Sequence, residues 1–532
     1  MRVLLINPPF LPRFCRSHRV PAVEKSGNLH YPHWLALAGA VLDARSHSIW
    51  LYDCPADDIT LEGILARAVQ FDPDLILLES STPSWYADCE TAQALREQLP
   101  HARICMTGTH VTALWRETLE RAPAIDYIAL GEYEESVADL ADILEAGVDD
   151  RTVPGIAARS HLHSGRPEER PLNEELDKLP FVSPIYQRFL TPAHYTFNLS
   201  RHPFVQIMAG RGCTAACFFC AYPQIVHGQN YRHRTAENIV REMLWIQKNM
   251  PEVRQINFED ENFGVDPAFA RRLGEVAQVR EVHLPIFANI SANLDSASLD
   301  ALKAAGLHNC TVGFDTSRYS LLEKMQKLQT DKSIATFMQA ARRHGILVHG
   351  CFLVGFPGET LRTMREAYDW ARRIRPDSAQ FTPLMPYPGT GAWRYFRYHG
   401  YLATLNFRDW LTRTGWSRCV LNLPGLTPKK IDRFCERATL LFHLRPLYLA
   451  RKLDHALRHP AEGLRSLRAG WQLIRYFRFR RLHPEPSLRV RPLAVSATWR
   501  MMPEIPDGRM QVIEKASQRL RAAEARQTDH ER

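Results

Sequence analysis

Cys213, Cys217 and Cys220 stand in the loop Gly210-Arg211-Gly212-Cys213-Thr214-Ala215-Ala216-Cys217-Phe218-Phe219-Cys220, three thiols spaced CxxxCxxC directly after a short apolar run. Three thiolates in one loop can hold one metal centre. A structural zinc site takes four protein ligands, and no fourth Cys or His lies at a usual short spacing, since His227 is seven residues on and Cys310 far later. A [4Fe-4S] cluster held by three cysteines instead keeps one iron free for a substrate or cofactor. Gly210 and Gly212 would let the backbone pass close to such a cluster. Three core cysteines are the plainer alternative, but core packing gives no reason for this spacing in a Gly-rich loop. The eleven cysteines are an odd number, which favours metal or redox chemistry over a disulfide framework.

These residues need a scaffold, and the flanking sequence supplies one. Strands are expected near Val205 to Met208, Gln255 to Phe258, Ile286 to Ile290, Asn309 to Gly313, Leu347 to Val354 and Ala379 to Pro383, with helices of suitable length between them. Six β/α units read as a partial TIM-like barrel with its chemistry at the strand carboxyl ends. The cysteine loop follows the first of these strands. Cys310 and Cys351 fall on barrel strands, where buried structural roles are expected.

Ahead of the barrel, residues 1–150 alternate strand and helix: strands at Arg2 to Ile6, Ser48 to Tyr52, Leu75 to Leu78, Arg103 to Met106 and Tyr127 to Leu130. The helices are Trp34 to Ala44, Leu61 to Phe71, around Glu90 to Gln98, near Thr112 to Arg121 and Glu134 to Leu144. This is the pattern of a doubly wound parallel sheet, which binds ligands at its strand carboxyl ends. Those ends carry Asn7-Pro8-Pro9, Glu79-Ser80-Ser81-Thr82, Gly108-Thr109-His110 and Gly131-Glu132. Residues 151–200, rich in Pro, Gly and Arg, read as a linker with one small hairpin, 201–400 as the barrel and 401–532 as a basic, mostly helical region ending in a short charged helix from Gln511 to Arg526.

The cysteine loop, with aromatic Phe219 directly before its third cysteine, resembles the radical S-adenosylmethionine (SAM) superfamily and its CxxxCxφC motif. The resemblance implies that Cys213, Cys217 and Cys220 hold three irons of a [4Fe-4S] cluster whose fourth iron chelates SAM, and that reductive cleavage gives a 5′-deoxyadenosyl radical. Phe258-Glu259-Asp260-Glu261-Asn262-Phe263 is similar to the family's second-strand segment near the SAM amino group. Gly313-Phe314-Asp315-Thr316-Ser317 stands where relatives carry Gly-Ile-Glu-Ser, with Asp315 one methylene shorter than the usual Glu. Gly355-Phe356-Pro357-Gly358-Glu359-Thr360 and Pro386-Tyr387-Pro388-Gly389-Thr390 match further family segments. The cofactor-facing residues so implied are Phe219, Glu259, Asp260, Asp315 and Gly355.

Residues 1 to about 150 resemble the cobalamin-binding modules in front of the barrel in one branch of that superfamily, which implies cobalamin contacts at Asn7, Ser80, Gly108, His110 and Gly131. The Asp-x-His-x-x-Gly cobalt-ligand signature is absent, as it commonly is in this branch, and a module that no longer binds the corrin is the competing reading. Within the branch, the cysteine loop and Tyr222-Pro223-Gln224 to Tyr231-Arg232-His233-Arg234-Thr235 are most similar to hopanoid-biosynthesis enzymes and the anaerobic magnesium-protoporphyrin ester cyclase. Arg232 and Arg234 read first as a solvated or capping pair and second as groups that steer an anion.

The 532 residues suit two to four domains at roughly 100 to 200 residues each. A hydrophobic share of 45% with 23% charged residues excludes a disordered or coiled-coil chain. No apolar run nears the roughly 18 residues of a membrane span, and the start Met1-Arg2-Val3-Leu4-Leu5-Ile6-Asn7-Pro8-Pro9 does not read as a signal peptide, so a cytoplasmic location is expected. Net charge is +9, concentrated late: from Arg445 to Arg481 ten Lys or Arg face two acids. For 442–481, interleaved with Leu and aromatics, a solvated face packed on the barrel competes with a peripheral membrane or lipid-facing surface; no nucleic-acid partner is expected.

The expected activity is therefore methyl transfer from methylcobalamin to an unactivated carbon of a small-molecule or lipid-like substrate after hydrogen abstraction, with a reductase or flavodoxin-type protein as electron donor. A radical cyclase, oxidase or rearrangement catalyst without methyl transfer is the alternative. An RNA-modifying methylthiotransferase is a third reading, weakened because neither its extra cysteine-bearing N-terminal domain nor its β-rich C-terminal domain is evident. No residue is singled out as the catalytic acid, base or hydrogen donor.

Overall fold

The computed structural model describes residues 1–147, 153–327, 329–458, 460–483 and 488. The expected Gln511 to Arg526 helix lies outside these residues. The first sheet holds β1 (Arg2–Asn7), β2 (Ser48–Asp53), β3 (Leu75–Glu79), β4 (Arg103–Thr107), β5 (Tyr127–Ala129) and β6 (Ile156–Ala158) in the order β2-β1-β3-β4-β5-β6. β1 to β5 run parallel, as crossover helices require. β3 is buried along its whole length and β1 is buried after Arg2, because helices cover both faces.

The segment read as a linker is built in. Its β6 pairs antiparallel with β5, and Ser183–Phe189 forms a helix. Tyr195 stacks on Tyr31 with ring centroids 3.8 Å apart and donates to Asp53 Oδ2 at 2.9 Å, while Tyr31 OH donates to Phe204 O at 2.8 Å. Aromatic side chains thus turn a Pro- and Gly-containing stretch into a seam between the two sheets. Local composition cannot show this, since the partners lie over a hundred residues away.

The second sheet holds β7 (Phe204–Ile207), then, after two short strands β8 (Gly210–Arg211) and β9 (Arg232–His233) that pair with each other, β10 (Gln255–Phe258), β11 (Ile286–Ile290), β12 (Leu307–Asp315), β13 (Leu347–Val354) and β14 (Ser378–Pro383). Its order is β14-β13-β12-β11-β10-β7, all parallel, an open six-stranded partial barrel. On its outer face Phe314, Phe352 and Phe381 form a stack, and Trp370 of the helix Leu361–Ile374 packs edge-on against Phe314 and Phe352. That helix opens with a capping box between Thr360 and Thr363.

Three expectations shift. The helix expected near Thr112 to Arg121 is two, Thr109–Ala113 and Trp115–Arg121, the first starting directly after Gly108. β12 runs past Gly313 to Asp315 through a register break between them, which carries the carboxylate to the strand end. Residues 401–427 are not helical: they form isolated bridges and the 3₁₀ turn Phe407–Trp410, as their Asn, Thr, Gly and Pro content favours. The helices Pro428–His443, Pro446–Arg458 and Pro460–Leu482 follow.

Candidate active site

The cysteine loop leaves the carboxyl end of β7 and is closed at its base by the β8–β9 pair. Gly212 sits at φ +87°, and a Cβ there would lie 2.1 Å from Asn230 O, so only glycine permits this crossing. Gln224 braces the loop by donating to Cys217 O at 3.0 Å and Cys220 O at 2.7 Å while accepting from Gly391 N at 2.9 Å. Through it, the family-like turn around Gly389-Thr390 supports the cysteines. Ala216 N adds a bond to Met325 O at 2.8 Å.

Burial pushes all three thiols up, Cys220 to about 12, with Lys327 opposing the shift at each and Arg19 at Cys213 and Cys220. Cys217 feels both other thiols, and Cys220 feels Cys213. Among the described residues, no three His, Cys, Asp or Glu side chains close on a single ion. Three thiols at this spacing in one loop suit a cluster in which each holds its own iron. Two cations nearby suit its charge.

Asp315 accepts a hydrogen bond from Lys327 Nζ, which also donates to Gly313 O at 3.2 Å. The lysine therefore meets the shortened carboxylate. Phe219 lies 5.9 Å from Phe356, beside Gly355, whose N–H is held by Glu359 Oε2 at 3.1 Å. Glu259 accepts from Gln206 Nε2 at 2.6 Å, and burial raises it to about 7. Asp260 is turned onto the loop base, accepting from Ala209 N at 2.9 Å and Tyr231 OH at 3.0 Å. Glu261 likewise accepts from Gly212 N at 3.1 Å and pairs with His227 Nδ1 at 2.7 Å. Two of the three consecutive acids thus hold the cysteine loop in place.

Across the domain junction, a cavity is lined by Ser80, Gly108 and Gly131 from the first sheet's strand ends, by Arg211 from the cysteine loop and by Tyr222 and His227 from the segment directly after it. It lies at β3 and β4, beside the point where the strand order reverses between β1 and β3. Gly108, at φ +122°, has Ser80 O where a Cβ would stand, 2.1 Å away. Trp34 Nε1, Glu79 Oε2 and Arg211 Nη2 line the same cavity, buried and without a hydrogen-bond partner. Buried polar atoms of this kind need partners, and a corrin rimmed with amides supplies both donors and acceptors. The residues fit that group.

Asn7 and His110 do not line the cavity. Asn7 bridges Asp53 Oδ1 at 2.7 Å and Arg16 Nη1 at 2.8 Å, which holds the loop after β1. His110 packs between Trp85 and Phe407 with Nδ1 3.2 Å from Thr82 Oγ1, and burial lowers it to about 3. The strand-end position alone could not tell which way that ring points. Cys310 is fully buried, as expected, whereas Cys351 is partly exposed and accepts from Gln380 Nε2 at 3.1 Å.

Several site residues carried no sequence signal. Arg211 bonds Glu134 Oε1 at 2.6 Å and lies 3.2 Å from Glu132. Arg232, read first as a surface residue, is buried on Glu132 at 2.5 Å, and Arg234 on Glu242 at 2.5 Å. The solvated reading of that pair is corrected: the carboxylate of Arg232 comes from the first domain and that of Arg234 from the helix Ala236–Asn249 that follows it, and Glu134 and Glu132 bring the first domain onto the second. Burial alone would raise Glu132, but Arg211 and Arg232 hold it down at about 2. Arg19 reaches across from the loop after β1 to Asp260 O at 2.9 Å.

Comparison with known proteins agrees with this architecture. Residues 19–141 match the B12 binding domain and residues 207–371 the radical SAM superfamily. The chain is 26% identical over 460 residues to an uncharacterized methyltransferase of Pyrococcus horikoshii, covering 85% of this chain and 95% of that one. It is 25% identical over 460 residues to the anaerobic magnesium-protoporphyrin IX monomethyl ester cyclase of Synechocystis sp., covering 85% and 88%. Among solved structures, the radical SAM methyltransferase TsrM from Kitasatospora setae, with tryptophan and a SAM analog bound, shares the fold at a TM-score of 0.64 and 19% identity, covering 84% of this chain and 90% of that one.

Proposed function

We propose that this chain, a B12-binding domain joined to a radical SAM domain, is a cobalamin-dependent radical SAM enzyme that methylates an unactivated carbon of a small molecule. The observation that carries the reading is the junction itself: the three-cysteine loop and the cavity bounded by Ser80, Gly108 and Gly131 meet through Arg211, Tyr222 and His227. Bound there, the reduced cluster would supply the electron that cleaves SAM to a 5′-deoxyadenosyl radical, and cobalamin the methyl group.

In this reading Cys213, Cys217 and Cys220 hold the irons, and Phe219, Glu259, Asp315 and Gly355 surround SAM, with Lys327 fixing Asp315. Asp260 positions the cysteine loop. Ser80, Gly108 and Gly131 let the corrin approach the strand ends, while Asn7 shapes the neighbouring loop. His110 packs behind it. A reductase or flavodoxin-type protein is the electron donor, and the cytoplasm the location. Among the described residues no helix is long and apolar enough to cross a membrane; contact through 442–481 is peripheral.

Product analysis of the reconstituted enzyme tests the reading. Methyl transfer gives S-adenosylhomocysteine beside 5′-deoxyadenosine in a complete turnover mixture. Deoxyadenosine alone would overturn the methylase reading and favour a radical cyclase or rearrangement catalyst, the reading that similarity to the ester cyclase supports.

A further inference from the structure

The last helix, Pro460–Leu482, packs with its polar side inward, and Pro446–Arg458 turns Tyr448 onto Phe442 and His443. Tyr476 OH donates to Glu436 Oε1 at 2.6 Å, Arg480 Nε donates to the same oxygen at 3.2 Å, and Asn198 Nδ2 donates to Gln472 Oε1 at 3.2 Å. Trp416 meets the Tyr476 ring edge-on at 4.5 Å. The opposite side is apolar and open. On Pro446–Arg458, Leu449, Leu453 and Leu457 recur every four residues, the last two 64% and 74% exposed. On Pro460–Leu482, Leu464, Leu467, Trp471 and Ile474 recur at steps of three and four, with Leu467 at 71% and Trp471 at 59%.

Such spacing makes one stripe along each helix. Of the seventeen large hydrophobic side chains exposed among the described residues, eleven lie between Leu441 and Leu482, so this is a concentrated patch and not ordinary surface scatter. The same stretch carries ten Lys or Arg and two acids from Arg445 to Arg481. Apolar stripes with a Trp, embedded in excess positive charge, match the two attractions an anionic bilayer surface offers: burial in the acyl boundary and charge pairing with headgroups.

We propose that the helix pair 446–482 is a docking surface for an anionic lipid bilayer and lies in the plane of the interface. Docking there also orients the rest of the enzyme. Lys25 sits 5.1 Å from the Tyr476 ring, on the same loop whose Arg19 reaches the Asp260 carbonyl, so the bilayer-facing helix is mechanically tied to the mouth of the barrel. The surface would thus hold the site next to substrates that partition into lipid.

Flotation of the full chain, cofactors loaded, with vesicles of phosphatidylcholine alone and with phosphatidylglycerol added tests this. Binding is expected only with phosphatidylglycerol, weakened by salt, and reduced about tenfold or more by Leu467→Glu with Trp471→Glu. Both residues are exposed and far from the cysteine loop, so melting temperature and deoxyadenosine formation should stay unchanged in that variant. Equal binding to both vesicles, or none, overturns the proposal. So does a dimer by light scattering that the double variant dissociates, which would assign the stripe to a second copy. Binding that appears only after removal of residues 484–532 would likewise overturn it for the intact chain, by showing that the stripe is covered by the chain's own end.

Discussion

The guanidinium of Arg211, two residues before Cys213, meets the carboxylate of Glu134 at 2.6 Å, and both side chains are buried. Glu134 opens the helix Glu134–Ala146 of the first domain, so one ion pair connects the cysteine loop to the cobalamin-type sheet. Glu132 and the indole of Trp34, 5.1 Å from the guanidinium, complete its surroundings. Arg211 is thus one of the residues that join the two domains, with Arg232 on Glu132 and Arg19 on the Asp260 carbonyl.

Arg211→Met is therefore expected to leave Glu134 charged and unpaired, and to cost about 3 to 5 kcal/mol in urea unfolding. Arg211→Met with Glu134→Gln should recover part of that loss. Equal stability of the native chain and the single variant would mean the pair does not hold the junction.

Cys217→Ala should abolish iron loading and all deoxyadenosine formation, whereas Cys310→Ala should keep full iron content. Iron determination and chromatography of the SAM products decide the matter. A Cys217 variant that still cleaves SAM refutes the cluster assignment.

Gly108→Ala places a methyl against Ser80 O at a backbone angle that alanine disfavours. A loss of about 2 to 3 kcal/mol is expected, together with loss of cobalamin on desalting, while iron content is retained. Retained cobalt in the visible spectrum of the variant would remove Gly108 from the corrin site.

His110 is neutral in the fold, lowered by burial to about 3, against about 6.5 when unfolded. The unfolded chain binds the extra proton, so this contribution to stability is complete above about pH 6.5 and is lost as pH falls toward about 3. Asp53 and Glu79, raised by burial to about 7, act oppositely: their contribution is present in acid and is lost as pH rises through about 7. Comparing the native chain with His110→Phe isolates the histidine. The difference in unfolding free energy should change by about 2 kcal/mol between pH 7 and about pH 5; a constant difference would show that the imidazole is not kept neutral by the fold.

Much of the architecture is written locally. β10, β11 and β13 fall where β-branched and apolar runs predict them, and Leu61–Phe71 is where its amphipathic period and Thr60 cap indicate. The cysteine loop is legible for the same reason, because three ligands of one centre lie within eight residues of one another. Propensity, period and short spacing are properties of a single segment.

What only the tertiary structure decided concerns partners from separate segments. Lys327 against Asp315, Arg19 beside Asp260, and Arg211 and Arg232 on Glu132 each require a particular loop to cross a particular strand end. Nothing in a lone Arg or Lys distinguishes a buried counter-ion from a solvated one until its carboxylate is in place. His110 shows the converse: its turn is where a ligand-binding turn should be, but Phe407, nearly three hundred residues later, draws the ring into the core. The sequence by itself determined the elements, the cysteine ligands and the chemistry they imply. Folding decided the junction, because charge burial and ring packing depend on which distant residues share a volume.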